Sequence, residues 1–349
     1  MGGAETNVVK ITRELVERGY EVHLATLEDN GPLIEEFGYL FASKTVVGLF
    51  YKTPLKSILA YVNLLRKHSF QAVLNFGIRV EFFSRILTKS FSAQTKVIAN
   101  IRSTDHWRKW YHSLLDQSTF GLVDVWVSNS EAGKQSSVNR EGISPERIHV
   151  IYNFVESIPD VYNQLIPQSN PREIRLGLLA NITRNKGYYD LLDIVDQLIK
   201  KGYSPKVYCG GVDRTGGDFE KELKSRKLES YFHLLGYISD KANFFEQIEI
   251  FVLPSYLEGM PTVVLEAMQF GKPIVTTGID GMLEQIKHLH NGWLSAPGDI
   301  DSFVEGILEL HNNEAIRKRF IENSTLVLKG KFDKIICIKQ WIGIIESKS

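Results

Sequence analysis

Short apolar segments of strand character alternate with amphipathic helical segments through almost the whole chain, and the alternation breaks once, over residues 156–171. Such a pattern leaves few folds open, because strands buried on both faces need helices to return them parallel to their neighbours. In the first series the strand candidates are Tyr20–Thr26, Thr45–Leu49, Ala72–Asn75, Lys96–Ile101, Asp124–Ser128 and His149–Tyr152. Helical periodicity fits Thr6–Arg18, Pro54–Lys67, Val80–Thr88, Trp107–Phe120 and Glu131–Arg140. The break carries Pro159, Pro167 and Pro171 without an apolar period, as a linker does. A second series then predicts strands at Arg175–Leu179, Lys206–Cys209, Phe232–Leu235, Ile248–Leu253 and Ile274–Thr276, with helices at Tyr188–Lys200, Phe219–Arg226 and Pro261–Phe270. The expected class is α/β, with two Rossmann-like doubly wound domains facing a cleft: residues 1–155, a linker over 156–171, and residues 172–330. A length of 349 residues suffices for two cores.

One segment of the second series carries chemistry. The strand Ile248–Leu253 runs into Pro254-Ser255-Tyr256-Leu257-Glu258-Gly259-Met260-Pro261-Thr262-Val263-Val264-Leu265-Glu266-Ala267-Met268. Pro254 and Ser255 end the strand, and Pro261 suits the first turn of a helix, where a missing amide hydrogen costs nothing. Glu258 then lies in a loop and Glu266 in a helix, one turn deeper. Amides of Thr262, Val263 and Val264 would point back at the loop, where their partial positive charge favours a phosphate. Glu266 could accept two hydrogen bonds from a ribose diol while Glu258 meets hydroxyls at the other end of the same ligand. Gly259 removes a side chain where that ligand approaches the backbone. Spacing alone says little, since a gap of eight is not a face-defining helical interval.

The full string is more specific. It resembles the donor-site signature of the retaining glycosyltransferase family that includes glycogen synthase-like and bacterial surface-polysaccharide group 1 enzymes: Pro-Ser, two residues, Glu-Gly, one residue, Pro, four residues, Glu-Ala-Met. Pro254, Ser255, Glu258, Gly259, Pro261, Glu266, Ala267 and Met268 match it. The resemblance implies the GT-B architecture and transfer of a hexose-type sugar from a nucleotide-diphosphate sugar to a hydroxyl of a glycan or lipid-linked acceptor. It assigns the donor to Glu258, Gly259, Met260, Pro261, Thr262, Val263 and Glu266 in the second half, and the acceptor to the first half.

Looser correspondences follow. Asn181-Ile182-Thr183-Arg184-Asn185-Lys186-Gly187 stands where the family usually has Gly-Arg, four residues, Lys-Gly. Lys186 and Gly187 fit, whereas Ala180 and Asn181 fill the Gly-Arg positions, so the arginine role is vacant or passes to Arg184. A cation there would neutralise the diphosphate as it leaves; the alternative is a solvated basic turn. Gly278–Gly281 with Glu284 resembles the family's Gly-Gly-x-x-Glu loop, with Asp280-Gly281 replacing the paired glycines, which makes Gly281 and Glu284 secondary donor-site candidates. In the first half, Arg102 ends the strand Lys96–Ile101 where many relatives carry His and one bacterial subgroup carries Arg. It would steady a phosphate or acceptor hydroxyl, or else serve a structural ion pair. His106 is a substitute for it. Lys186, Glu258 and Arg102 are thus the catalytic candidates. Asn153 matches the family's hinge-side Asn. The tail from Lys331 to Ser349, with Ile335, Ile336, Ile338, Trp341, Ile344 and Ile345, is expected to cross back onto the first half as the family's last helix does.

Met1-Gly2-Gly3-Ala4-Glu5 resembles the glycine-rich loop that the family places after its first strand, so the N-terminal domain is expected to lack that strand and the true start to lie upstream. Gly2 and Gly3 then read as acceptor-side loop residues, or as a flexible terminus. A missing middle strand would leave backbone groups unpaired.

Composition excludes other classes. Lys plus Arg equals Asp plus Glu, 41 against 41, so no global field draws the chain to nucleic acid. No apolar stretch approaches the roughly 20 residues that span a bilayer, and a cytoplasmic enzyme is expected. His106-Trp107-Arg108-Lys109-Trp110-Tyr111-His112 mixes cations with aromatics and suits either peripheral contact with the inner face of the membrane or an amphipathic helix burying Trp107 and Trp110. Asp299-Ile300-Asp301 follows Pro297-Gly298 and precedes a helix, so it reads as a cap; no metal is expected, and no cofactor beyond the nucleotide sugar as co-substrate. Cys209 and Cys337 read as inert core residues. A nucleotide-sugar epimerase and a catalytically silent sugar-nucleotide-binding subunit are the alternatives.

Overall fold

The computed structural model describes residues 3–347 apart from 30, 51, 103–113, 115 and 157–169. Gly2, His106 and the rest of the His106–His112 run, and most of the expected linker, lie outside the described residues. The chain divides into two units, Met1–Glu156 with Lys334–Ser349, and Ser157–Asp333.

In the first unit β1 (His23–Thr26) pairs in parallel with β2 (Ser43–Val46), while β3 (Ala72–Asn75), β4 (Lys96–Ile101), β5 (Val125–Ser128) and β6 (Ile148–Val150) form a separate parallel sheet in that order. In the doubly wound order the second and third strands lie on one side of the first strand and the remainder on the other. Removing the first leaves a pair and a block, the division seen here. Every residue of β4 is buried. Its side chains alternate between two cores as the pleat requires: Val97, Ala99 and Ile101 pack with Trp126 and Ile148, while Ile98 packs with Ile11 and Trp341.

That second core is closed by the chain's last helix, Lys334–Glu346. Ile338, Trp341, Ile344 and Ile345 are buried, but Ile335 and Ile336 are 68% and 41% exposed, so the apolar tail is one-sided rather than wholly interior. The residues up to Lys331 belong instead to the helix Glu314–Lys331 of the other unit. Lys96 Nζ donates to the Ile344 carbonyl at 2.8 Å and to Ser347 Oγ at 2.9 Å, placing a cation on the unsatisfied end of the last helix. Lys334 Nζ pairs with Glu14 Oε1 at 2.8 Å.

In the second unit β7 (Glu173–Leu179), β8 (Ser204–Gly210), β9 (Phe232–Gly236), β10 (Ile250–Leu253), β11 (Ile274–Thr277) and β12 (Trp293–Ser295) form one parallel sheet, ordered β12-β11-β10-β7-β8-β9. This is the full doubly wound order. The helix Tyr188–Lys200 buries Tyr188, Leu191, Leu192, Val195 and Leu198, the spacing of one helical face. Asp299 caps the helix Ile300–Asn312 by accepting from the Ser302 amide at 3.0 Å, as the acid-x-acid triplet suggested. Cys209 and Cys337 are both buried thiols. No helix among the described residues is long and apolar enough to cross a membrane.

A buried histidine ties this unit's helical layer to its sheet. His311 Nδ1 lies 3.0 Å from Glu249 Oε1 and Nε2 lies 2.9 Å from the Pro171 carbonyl oxygen. Burial opposes its protonation, but the bonds to Glu249 and Pro171 outweigh burial and raise its pKa. A group raised on folding stabilises fully below its unfolded value, about 6.5 for His, and that contribution fades as pH rises through the folded value. Thermal unfolding followed by circular dichroism should therefore show the melting temperature falling as pH rises above that unfolded value. In His311→Gln this slope should vanish.

Candidate functional site

β7 and β10 are neighbours in the sheet although they are the first and fourth strands of their unit, so the loops at their carboxyl ends lie at the topological switch point, where such sheets bind ligands. The two loops are locked together. Gly187 has φ +72°, and a Cβ on it would fall 1.9 Å from the Pro254 carbonyl oxygen, so only glycine fits. The Tyr256 amide donates to the Asn185 carbonyl at 2.9 Å. Its phenol donates to Asp190 Oδ2 at 2.7 Å, a bond that pushes the phenol pKa up to about 12.

This clamp brings two predicted residues into contact. Lys186 Nζ donates to Glu258 Oε1 at 2.6 Å, and Ser255 Oγ donates to the same oxygen at 2.9 Å. The side chains are 26% and 9% exposed, so the pair is sheltered yet reachable. Gly259 and the buried Met260 lead into the helix Thr262–Gln269, whose N-cap is Pro261. That helix begins one residue later and ends one residue earlier than the sequence predicts, and no side chain caps it, which keeps the Thr262 and Val263 amides for an anion. Glu266 is buried in the helix and accepts from Lys241 Nζ at 2.6 Å. Lys241 opens the helix Lys241–Gln247 and had no motif to mark it.

Supporting residues take definite places. A Cβ on Gly281 would meet the Gly259 carbonyl oxygen at 1.8 Å, so the loop after β11 lies directly on the Glu258-Gly259 turn. Gln285 Nε2 fixes this by donating to the Pro261 carbonyl at 3.0 Å. Glu284 is anchored there through its own carbonyl, which accepts from Lys331 Nζ at 3.1 Å. Asn181 Oδ1 accepts from the Val212 amide at 3.0 Å and so joins the loops after β7 and β8. Arg184 stacks its guanidinium over Tyr189, 4.6 Å from the ring centre, while Lys186 is the cation that pairs with Glu258.

In the first unit Arg102 leaves the end of β4. Its Nη2 donates to Asn153 Oδ1 at 2.9 Å, and the Asn7 side-chain amide, with its oxygen assigned to face the guanidinium as a donor-only cation requires, accepts from Nη1 and Nη2 at 3.1 and 2.9 Å. Phe76 lies 5.8 Å beneath the guanidinium. Its described partners are thus neutral amides rather than the carboxylate of a structural ion pair. Burial alone holds its pKa down to about 10. Gly3 begins the helix Gly3–Glu17 rather than standing in a loop.

Two Rossmann-like units in one chain, the second with an acid–cation pair at its switch point, define the GT-B class of glycosyltransferase fold. The model for glycosyl transferases group 1 matches residues 165–327, and that for glycosyltransferase family 4 matches residues 1–157. The chain is 34% identical over 286 residues to the UDP-Gal:α-D-GlcNAc-diphosphoundecaprenol α-1,3-galactosyltransferase of Escherichia coli, covering 75% of this chain and 72% of that protein. It is 25% identical over 196 residues to the capsular polysaccharide biosynthesis glycosyltransferase CapM of Staphylococcus aureus, covering 56% of this chain and 50% of that protein. Anabaena Alr3699/HepE, solved in complex with UDP, shares the fold at TM-score 0.82 and 18% identity over 99% of this chain and 96% of that one. The chain belongs to the group 1 glycosyltransferase family.

Proposed function

We propose that this protein moves a hexose-type sugar, with retention of anomeric configuration, from a nucleotide-diphosphate sugar to a hydroxyl of a glycan or lipid-linked glycan in bacterial surface-polysaccharide synthesis. The observation that carries it is the Lys186–Glu258 pair, set at the switch point beside the uncapped helix that holds Glu266. Glu266 takes the ribose diol with Lys241 fixing its carboxylate. The Thr262 and Val263 amides and Lys186 take the diphosphate. Glu258 has one oxygen committed to Lys186 and Ser255 and offers the other to the hexose hydroxyls. The acceptor oxygen attacks the anomeric carbon as the carbon–oxygen bond to the diphosphate breaks, and the acceptor proton passes to the departing diphosphate oxygen. Lys186 meets the charge that develops there, so no divalent ion is needed at the donor. Arg102 serves the acceptor in the first unit.

A uridine donor is supported by HepE, solved with UDP and with UDP-glucose, and a lipid-diphosphate acceptor by the Escherichia coli relative's name. Peripheral membrane contact is supported by the helix Pro54–Lys67, which exposes Leu55 and Leu59 beside Lys52 and Lys56. The test is incubation with a panel of labelled uridine, guanosine and adenosine diphosphate sugars and a lipid-diphosphate-linked sugar, without added Mg²⁺ or Mn²⁺. Label should move to the acceptor with its anomeric configuration kept, as read by NMR of the product. Isomerised donor without an acceptor would establish the epimerase reading, and binding without turnover the silent subunit.

A further inference from the structure

The entry ends of the strands in the first unit carry a cluster that sugar transfer does not use. Glu21 and His23 stand two residues apart where the chain enters β1. His23 Nε2 lies 3.1 Å from Glu21 Oε1. His68 is the extended residue that ends the helix Pro54–Lys67, and its ring centre comes within 4.2 Å of that of His23. One donor atom from each of the three residues lies within 4.8 Å of the others. His68 Nε2 is buried without a hydrogen-bond partner, a state that costs its full desolvation unless a ligand relieves it. His23 Nδ1 sits 2.7 Å from Oγ of Ser43, the residue registered opposite it on β2. A metal-bound imidazole rests its second nitrogen on such an oxygen, which leaves Nε2 as the ligating atom.

We propose that Glu21, His23 and His68 bind one divalent transition-metal ion of the zinc class, with water as fourth ligand. Two imidazoles and a carboxylate suit such an ion, whereas Mg²⁺ and Ca²⁺ seek oxygen shells. Donors around tetrahedral zinc lie about 3.3 Å apart, so the cluster needs only to tighten from its present span. Phe70 covers the apolar side, its ring 5.3 Å from that of His23 and 5.5 Å from that of His68. The role is a clamp. His23 belongs to the two-stranded sheet, His68 to the connection that leads into β3, and among the described residues the two sheets share no strand pairing. The ion ties the entry to β1 to the segment that leads into β3.

The test uses the whole chain, stripped with a chelator and titrated with Co²⁺ and Zn²⁺. One equivalent of Co²⁺ should bind with the intense visible bands of a tetrahedral site and be displaced by Zn²⁺ but not by Mg²⁺, and Zn²⁺ should raise the melting temperature. His68→Gln should weaken binding at least about 100-fold, beyond what loss of a supporting partner costs, while replacing the exposed His149 of the same unit by Gln should change nothing. Glu21 has a 70% exposed side chain, so Glu21→Gln supplies a folded variant should His68→Gln fail to fold, and it should lose the tetrahedral spectrum. No saturable binding, an octahedral spectrum, or unchanged affinity in these variants would overturn the proposal.

Discussion

Replacing Lys186 with alanine is expected to lower kcat/KM for sugar transfer by about 10²–10³-fold, the usual loss when a preorganised charge-stabilising donor is removed. The loss should fall mainly on kcat, because the cation is needed most when the diphosphate carries its full departing charge. Lys186 also holds Glu258, so a single variant cannot separate the two roles. A double-mutant cycle with Glu258→Gln does so. If Lys186 acts on the phosphate and Glu258 on the hexose, the double variant should lose clearly more than either single one. Equal loss in all three would mean that the lysine only positions the glutamate. Initial rates at saturating and limiting donor give the answer.

Gly187→Ala is expected to destabilise the second unit and to open the donor-side loops. The alanine would sit in a left-handed conformation costing about 1–2 kcal/mol, and its Cβ would fall 1.9 Å from a backbone oxygen rather than a side chain that could swing away. Overpacking of that kind adds roughly 1–3 kcal/mol. A fall in melting temperature on the order of 10 °C follows, together with loss of donor binding as the Lys186 and Pro254 loops separate. A variant that melts like the parent and keeps its affinity for the nucleotide would show that the two loops are not clamped together.

The parts of the fold legible in the sequence were those whose signal is local. β10 is wholly apolar and is ended by Pro254, and β4 carries four apolar residues in six; the pattern marks β4 at its observed ends and starts β10 two residues early. β12, Trp293–Ser295, falls where no strand is expected, and β2 begins two residues before its expected start because its register is set by pairing with β1, through Ser43 opposite His23. The same division holds in the site. Glu258, Gly259, Pro261 and Glu266 share one continuous string, whereas Lys241 reaches Glu266 across 25 positions with nothing nearby to mark it. Arg184 illustrates the converse: the string leaves it open for the vacant arginine role, and only the structure shows its side chain turned onto Tyr189. Glu21, His23 and His68 could not be joined by eye, since their proximity depends on where one helix ends and another strand begins.

The last helix closes the first unit's core with Trp341 and Ile338, and Lys96 holds its final carbonyls. During synthesis these residues leave the ribosome only after the whole of the second unit, so the N-terminal portion must wait, with Ile11, Leu15 and Ile98 still seeking a cover, until that unit has been made in full. The unit encoded without interruption can mature while translation proceeds, which reverses the customary N-to-C sequence of domain folding. Nascent chains stalled before residue 334 should therefore carry an exposed apolar face that a chaperone would shield.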